Sequence, residues 1–206
     1  MPRQNRVTPF GEIVVPPPGS LARGDFFGNR GCLHDDAGRI RRAWRSRAWI
    51  TCLLAFKGRH RALLQPGRYT ELFFLDEATA FAAGHRPCGE CRWHDYQRFR
   101  ACWPALAGRP VADIDAVLHR ERLERARHAV AVASLPDGCM VARPEAPARA
   151  FLTWDGALYP WSHDGYGAAE PAPARVLALT PPALIAVLRR GYRLSIHRSG
   201  PPPANG

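Results

Sequence analysis

Lysine is almost absent from this chain, although the chain is strongly basic. Lys57 is the one lysine among 206 residues, yet Lys and Arg together number 29 against 18 Asp and Glu, which gives a formal charge of +11. Nearly all of the positive charge is therefore arginine, whose planar guanidinium binds phosphate through paired hydrogen bonds and stacks on bases. This charge indicates a nucleic-acid partner and binding that weakens as salt rises. Codon bias is the alternative source, because Ala and Pro are abundant as well.

Long apolar runs are also absent. No stretch of about 18 apolar residues occurs, so we expect no membrane span. The N-terminal segment Met1–Arg6 leads into no apolar run of the kind that a secretory signal needs, which favours a cytoplasmic location. Thiols stay reduced there, so the six cysteines are expected to be metal ligands, nucleophiles or core residues rather than disulfides. The glycine patterns that bind a nucleoside triphosphate or a dinucleotide cofactor are missing too.

The order of the predicted elements indicates an α+β protein. A small zinc-stabilised module of hairpin and helix is expected first, followed by a mixed part of helices and short strands. The sequence pattern changes near residue 135, where short strand candidates begin to alternate with links rich in Pro and Gly. The predicted regions are an N-terminal arm over 1–25, the zinc module over 26–103, the α+β part over 104–200 and a disordered tail over 201–206.

Within this outline, apolar runs predict two strands, 48–56 and 69–75, that can pair as a hairpin. Asp76 is suited to cap a short helix that ends at Gly84. A second helix is expected over 92–102, and a longer, charged one over 111–131. The remaining predictions are strands over 140–143, 150–154, 175–180 and 192–197 and a helix over 181–190.

A Cys-x-x-Cys pair, Cys88 and Cys91, interrupts the helical pattern. Two thiolates at this spacing can bind one tetrahedral zinc ion, and a closed structural site needs two further ligands. Cys32 and His34, in a Gly-rich turn, are the best candidates. Cys52 and His60 come second and His85 third, since a cysteine inside an apolar strand is more often a free buried thiol. The sequence therefore predicts one structural Zn²⁺ bound by Cys32, His34, Cys88 and Cys91.

The segment LFFLDEATAFAAGHRPCGEC, Leu72 to Cys91, resembles the zinc-binding N-terminal domain of the Ada DNA-repair protein. That family shares an aromatic strand, an Ala-rich helix that ends in Ala-Gly, and an Arg-Pro-Cys-x-x-Cys turn. The resemblance implies a zinc module that faces DNA, in which an upstream cysteine pair completes the site and one thiolate accepts a methyl group from a phosphotriester. By position Cys32 stands for the first of that pair, and His34 is the nearest substitute for the second.

The charged helix carries a second set of candidate functional residues. Asp115 and His119 are four residues apart and therefore share a helix face, with Arg122 one turn further. A carboxylate that orients a histidine, beside an arginine that can hold phosphate, can act as an acid/base pair on DNA. Asp113 is the third candidate catalytic residue. A solvated helix face is the alternative explanation of the same pattern.

Aromatic and basic residues elsewhere fit DNA contacts. Trp154, Trp161 and Tyr166 lie in a segment rich in aromatics, acids and glycines, which suits a pocket for a base turned out of the helix, although the tryptophans also suit a core. Arginines around Trp44 and on the helices are expected at phosphates. The predicted DNA-binding residues are Arg41, Arg42, Trp44, Arg45, Arg86, Arg92, Arg122, Trp154, Trp161 and Tyr166.

The favoured function is a zinc-containing DNA-binding protein that acts on damaged or modified DNA. Hydrolytic excision of a modified base is the first reaction, because the aromatic pocket and a nearby aspartate would hold the base and stabilise the charge that develops as it leaves. Stoichiometric transfer of an alkyl group from DNA to a zinc-bound thiolate is the second hypothesis. A DNA-binding regulator without catalytic activity is the third.

Overall fold

The computed structural model describes residues 3–20, 24–58, 62–104, 110–124 and 128–201. This part of the chain forms two β-sheets and four α-helices, so the predicted α+β class is confirmed. In the described residues, no helix has the length and apolar character needed to cross a membrane.

The first sheet is mixed and is built from the N-terminal half of the chain. Its order is β2-β1-β5-β3-β4-β6, with β1 parallel to β5 and β4 parallel to β6. The other neighbours in the sheet are antiparallel. Its strands are β1 (Arg6–Val7), β2 (Ile13–Val14), β3 (Phe26–Asn29), β4 (Ile50–Leu53), β5 (Leu72–Phe74) and β6 (Arg86–Pro87).

The second sheet is antiparallel and follows the helices of the middle of the chain. Its order is β11-β10-β9-β8-β13-β7, and β12 pairs with β10. A two-residue turn joins β9 to β10, with φ of 45° at Asp155 and 70° at Gly156, the backbone signs that a twisted hairpin favours. Its strands are β7 (Ala129–Ala131), β8 (Met140–Arg143), β9 (Ala146–Trp154), β10 (Ala157–Ser162), β11 (Gly165–Tyr166), β12 (Glu170–Pro171) and β13 (Arg175–Ala178).

The helices are α1 (Glu77–Ala82), α2 (Trp93–Cys102), α3 (Val111–Glu124) and α4 (Pro182–Arg189). Asp76 caps α1 as predicted, since its side chain accepts a hydrogen bond from the Thr79 backbone N–H at 2.9 Å. After α1 the chain turns at Gly84, where φ is +81° and an added Cβ would lie 2.7 Å from the Arg122 side chain. Only glycine fits both the backbone angle and this close approach.

Helix α1 lies at the centre of the molecule, and all of its residues are buried. One side packs on β5 of the first sheet, and another packs on β8 of the second. Between them, Phe81 stacks on Tyr192 with ring centroids 5.4 Å apart, within a core shared with α2, α3 and α4. A helix that is enclosed on every side links the two sheets into one packed unit.

The structure corrects several sequence expectations in the first half of the chain. Strands β4 and β5 do not pair as a hairpin, because β3 lies between them and bonds to both. Phe26–Asn29, just before the Gly-rich turn of Cys32 and His34, is therefore a central strand. Part of the predicted N-terminal arm belongs to the first sheet, since β1 and β2 extend its edge.

Two corrections concern the second half. The third helix ends at Glu124 among the described residues, and Ala129–Ala131 forms a strand instead. No strand forms over 192–197. The backbone N–H groups of Ser195 and His197 donate to the carboxylates of Glu77 and Asp76, so this segment bonds to side chains rather than to a neighbouring strand.

Candidate metal centre

Two of the candidate ligands come from neighbouring parallel strands. Residues Ile50 and Thr51 of β4 lie opposite Arg86 and Pro87 of β6. The register continues one residue further, where the Cys88 backbone N–H donates to the Thr51 carbonyl oxygen at 2.9 Å. Because the side chains of residues opposite each other in a ladder point to the same face, Cys52 and Cys88 are brought side by side.

The third ligand comes from the turn between β6 and α2. The Glu90 backbone N–H approaches the Cys88 sulfur at 3.4 Å, and the Arg92 N–H donates to the Cys88 carbonyl at 3.2 Å. This tight turn returns Cys91 towards Cys88. Both residues of the predicted Cys-x-x-Cys pair therefore belong to one cluster of sulfurs.

The sulfur atoms of Cys52, Cys88 and Cys91 all lie within 4.8 Å of one another. Zinc–sulfur bonds of about 2.3 Å at tetrahedral angles separate the sulfurs by about 3.8 Å, so a small adjustment would fit this set to one ion. Hydrogen bonding with Cys52, and then with Cys91, lowers the pKa of Cys88. Cys52 as the donor has its pKa raised. A metal ion that binds these sulfurs would displace the thiol protons.

Cys32 and His34, the other two ligands predicted from the sequence, lie outside this cluster. The ring of His34 is within 2.6 Å of the Thr70 hydroxyl through Nδ1 and 3.2 Å of the Gln65 carbonyl through Nε2. The antiparallel register pairs Phe27 with Cys52, so the chain runs away from the sulfurs before it reaches Cys32. The thiol of Cys32 lies 3.7 Å from the His34 carbonyl oxygen.

The histidines considered as further ligands differ in their placement. His85 is fully buried, and its Nε2 lies 3.2 Å from Nε of Arg30. Burial, and then the charges of Arg30 and Arg122, lower its pKa well below the usual value. His60 lies outside the described residues. The sequence ranked Cys52 second because of its apolar strand, and no local signal pairs that strand with the segment that leads to Cys88.

The three cysteines line one side of a cavity of about 400 Å³. Strands β3, β4 and β5 form its floor, and the segments after β4 and before β5 form its walls. Most of the lining side chains are aromatic or aliphatic, with two carboxylates, Glu71 and Glu90, and one amide, Asn29. Since the described residues supply three clustered ligands, a tetrahedral ion would have a fourth position to fill from the cavity or from a residue outside this set.

Two of the three predicted catalytic residues, Asp115 and His119, share a face of α3 that is packed against the rest of the protein. Asp115 is 6% exposed and forms a two-point ion pair with Arg86, at 2.7 Å and 2.8 Å. The ring of His119 lies edge-on to Trp44, with centroids 4.4 Å apart, and burial is the main cause that lowers its pKa. Asp113 is exposed on the same helix. The solvated face considered as the alternative is therefore wrong for Asp115 and His119.

The predicted DNA-binding arginines fall into two groups. Arg86, Arg92 and Arg122 are buried. Arg92 bonds to Glu77 at 2.7 Å, and the Arg122 guanidinium lies 4.3 Å from the centroid of the Trp49 ring. The exposed group, which remains accessible for a phosphate, consists of Arg41, Arg42 and Arg45, beside the half-exposed Trp44.

The predicted aromatic pocket of the second half is a packed surface. Tyr166 is buried and donates from its hydroxyl to Asp76 at 2.8 Å. The Trp161 indole donates to the Thr79 hydroxyl at 3.0 Å, and Trp154 packs against the same apolar cluster. These side chains hold α1 against the second sheet, which agrees with the alternative that the tryptophans belong to a core.

The fold and the sulfur cluster define an α+β protein with a candidate three-cysteine metal centre. No protein-family model, no curated protein and no solved structure matches the chain. The resemblance to the Ada zinc domain therefore stays a prediction.

Proposed function

We propose that the chain binds one zinc ion through Cys52, Cys88 and Cys91, binds DNA, and acts on a damaged or modified nucleotide beside the metal. The observation that carries the proposal is the cluster of three sulfurs within 4.8 Å at the side of a cavity of about 400 Å³. Thiolates favour zinc over the hard cations magnesium and calcium.

The cavity supports a metal centre that takes part in chemistry rather than a closed structural site. Catalytic zinc sites combine three protein ligands with a water or substrate position, and bound zinc lowers the pKa of that water to about 7. Hydrolytic excision of a modified base remains the first reaction. The carboxylate it requires is now assigned to Glu71 or Glu90, which line the cavity, because Asp115 is held by Arg86.

Charge supports DNA as the partner. The 29 basic residues outnumber the 18 acidic ones by 11, and the exposed Arg41, Arg42 and Arg45 are available for phosphates. Arg41 also contacts Asp35 at 2.8 Å. Such an exposed pair contributes little because water screens it, so a phosphate can replace the carboxylate.

The three-thiolate set favours alkyl transfer as the second candidate. A dication bound to three thiolates carries one net negative charge, so the sulfurs keep electron density for nucleophilic attack. A sulfur would form a bond to the alkyl carbon, and the carbon–oxygen or carbon–nitrogen bond to DNA would break, with its electron pair leaving on the DNA atom. The acceptor expected from the sequence, Cys32, lies outside the cluster, so the candidates become Cys52, Cys88 and Cys91.

Cobalt substitution tests the metal set. Wild-type protein should bind one equivalent of Co²⁺ or Zn²⁺ and show sulfur-to-cobalt charge transfer in the near ultraviolet. Cys52→Ser, Cys88→Ser and Cys91→Ser should each lose most of this signal. The matched controls Cys32→Ser and Cys139→Ser should keep it. Retention by Cys52→Ser together with loss in Cys32→Ser would contradict the proposed ligand set.

A panel of modified duplexes tests the reaction. Formation of abasic sites over many turnovers, lost in Cys88→Ser, supports excision. A mass gain of one alkyl group per protein, mapped to Cys52, Cys88 or Cys91, supports transfer. Binding that retards the duplex without altering either partner favours a regulator and would rule out both reactions.

A further inference from the structure

The cavity beside the sulfurs has the size, walls and rim of a pocket for a single planar base. We propose that it receives one nucleobase turned out of a DNA strand, an inference that rests on the proposed function because it places the substrate at that metal centre. Its volume of about 400 Å³ lies within the range of about 300–1,000 Å³ that is usual for small-molecule sites.

The walls favour a flat aromatic occupant. Phe27 and Phe73 lie on paired strands β3 and β5, with ring centroids 6.5 Å apart and planes inclined at 46°. Phe56 and Tyr69 line the cavity from the segments that follow β4 and precede β5. Aromatic faces stack on any base and contribute about 1–3 kcal/mol for each base. The sulfur cluster would then lie beside the edge of a base that these rings hold.

Two fixed polar groups can contact the edge of that base. Asn29 lines the cavity, and its Oδ1 accepts a hydrogen bond from the Gly31 backbone N–H at 3.2 Å, which sets the orientation of the amide. Glu71 is 4% exposed, and its Oε2 accepts from the Leu64 N–H at 2.9 Å. A carboxylate accepts hydrogen bonds from exocyclic amino groups of bases, so the pocket favours a base that carries one.

Three cations lie beside residues of the cavity wall, where the sugar–phosphate backbone would pass. The Arg3 guanidinium donates to the Leu63 carbonyl oxygen at 2.7 Å. The Arg6 guanidinium lies 5.0 Å from the centroid of the Phe73 ring, and the Lys57 ammonium lies 5.1 Å from that of Phe56. Lys57, the single lysine of the chain, thus lies near the cavity. Cations at the rim of an apolar pocket fit a base that remains attached to its phosphates.

The cost of unpairing a base provides the test. A protein that turns a base out should bind a duplex with one mismatched pair more tightly than the matched duplex, because the mismatch lowers the cost of extrusion. We expect an affinity gain of about tenfold, which corresponds to about 1.4 kcal/mol. Fluorescence anisotropy of end-labelled duplexes with zinc-loaded protein measures both affinities at low salt.

Two leucine variants test whether the preference for the mismatched duplex arises at the cavity. Leu54 lines the cavity and is 36% exposed, so Leu54→Trp should close its mouth without disturbing the core. Leu123 on α3 is 60% exposed, and Leu123→Trp is the matched control. Leu54→Trp should bind matched and mismatched duplexes equally, whereas Leu123→Trp should keep the tenfold difference. Circular dichroism verifies that both variants are folded.

Three outcomes separate this inference from the proposed function. If the wild-type protein binds both duplexes equally, or if Leu54→Trp keeps the mismatch preference, the base pocket is wrong while DNA binding stands. If the wild-type protein binds neither duplex, the proposed function fails and the pocket fails with it. If the mismatch preference depends on Leu54 but no modified duplex is altered, the pocket is supported and the proposed reaction is not.

Discussion

Two groups of ionisable residues lie close together in the sequence, and the fold encloses one and leaves the other beside a cavity. Asp76 and Glu77, at the start of α1, are 0% and 1% exposed. Cys88 and Cys91, with Cys52, line a cavity of about 400 Å³. The surroundings of each group distinguish the polar residues that hold the molecule together from those that remain available to a ligand.

The acidic pair has a bonding partner at each carboxylate oxygen. One oxygen of Asp76 accepts from Thr79, and the other accepts from the Tyr166 hydroxyl at 2.8 Å and the His197 N–H at 3.2 Å. These bonds connect the cap of α1 to the second sheet and to the C-terminal segment. A buried polar group that is fully bonded gives structural specificity and leaves no site for a ligand.

Glu77 is enclosed in the same way. Its Oε1 accepts from Arg92 at 2.7 Å and from the Tyr192 hydroxyl at 2.8 Å, and its Oε2 accepts from the Ser195 N–H at 3.0 Å. The sulfurs of Cys52, Cys88 and Cys91 lie within 4.8 Å of one another and line the cavity. Complete bonding therefore marks the acidic pair as structural, whereas the cavity marks the cysteines as the functional candidates.

The largest loss of stability is expected when a carboxylate of the buried pair Asp76 and Glu77 is removed. Glu77→Ala removes the buried partner of Arg92, whose side chain is 1% exposed, and leaves it only the less buried Asp95 at 2.8 Å. The loss of one partner of a buried ion pair destabilises by about 3–5 kcal/mol, which should appear as a lower midpoint in urea. The control Glu124→Ala removes an exposed partner of Arg120 and should change stability by less than about 0.5 kcal/mol. Similar effects of the two variants would show that Glu77 is not a structural anchor.

Metal removal should cause the next largest loss of stability. This loss should depend only on Cys52, Cys88 and Cys91. Zinc at about 100 times its dissociation constant stabilises the folded state by about 2.7 kcal/mol when it binds that state alone. Urea unfolding with zinc and with a chelator measures this difference. Cys52→Ser should abolish it, whereas Glu77→Ala should retain it despite its lower stability. Zinc stabilisation that survives in Cys52→Ser would place the metal elsewhere.

A buried histidine should make stability depend on pH. Burial, and then the charges of Arg30 and Arg122, lower the pKa of His85 in the folded protein, whereas the unfolded chain has a pKa of about 6.5. Below pH 6.5 the unfolded state therefore binds a proton that the folded state does not. The free energy of unfolding should fall by up to about 1.4 kcal/mol per pH unit as the pH decreases from 6.5.

Urea unfolding between pH 7 and pH 5.5 measures this slope for the wild-type protein and for His85→Gln, in which it should be shallower. His119 and His163 contribute with the same sign, because burial lowers the pKa of each. His94→Gln, an exposed position on α2, is the control and should keep the wild-type slope. An unchanged slope in His85→Gln would mean that the ring takes up a proton in the folded protein.

Local signals in the sequence were sufficient to predict the helices on either side of the Cys88–Cys91 turn. The cap at Asp76, the stop at Gly84 and the Cys-x-x-Cys spacing each act within a few residues, and α1, α2 and the Cys88–Cys91 turn agree with them. The agreement for β8, Met140–Arg143, has the same origin. These features depend on neighbours along the chain, so the chain itself reveals them.

Partners that are distant in sequence could not be predicted in this way. Cys52 joins Cys88 through a parallel register between β4 and β6, and no periodicity in either strand specifies that pairing. Asp115 was expected to act on DNA because nothing near it in sequence reveals Arg86 as its partner. Tyr166 was expected in a base pocket for the same reason, since Asp76 is 90 residues away.

The smallest change in stability is expected for a substitution at the cavity mouth. Leu54 is 36% exposed, so Leu54→Ala removes little buried surface and should change the free energy of unfolding by less than about 0.5 kcal/mol. Leu152→Ala, at a fully buried position of β9, should cost about 2–5 kcal/mol in the same urea assay. If Leu54→Ala cost as much as Leu152→Ala, the cavity walls would belong to the core, and the space beside the cysteines would be a packing feature rather than a binding site.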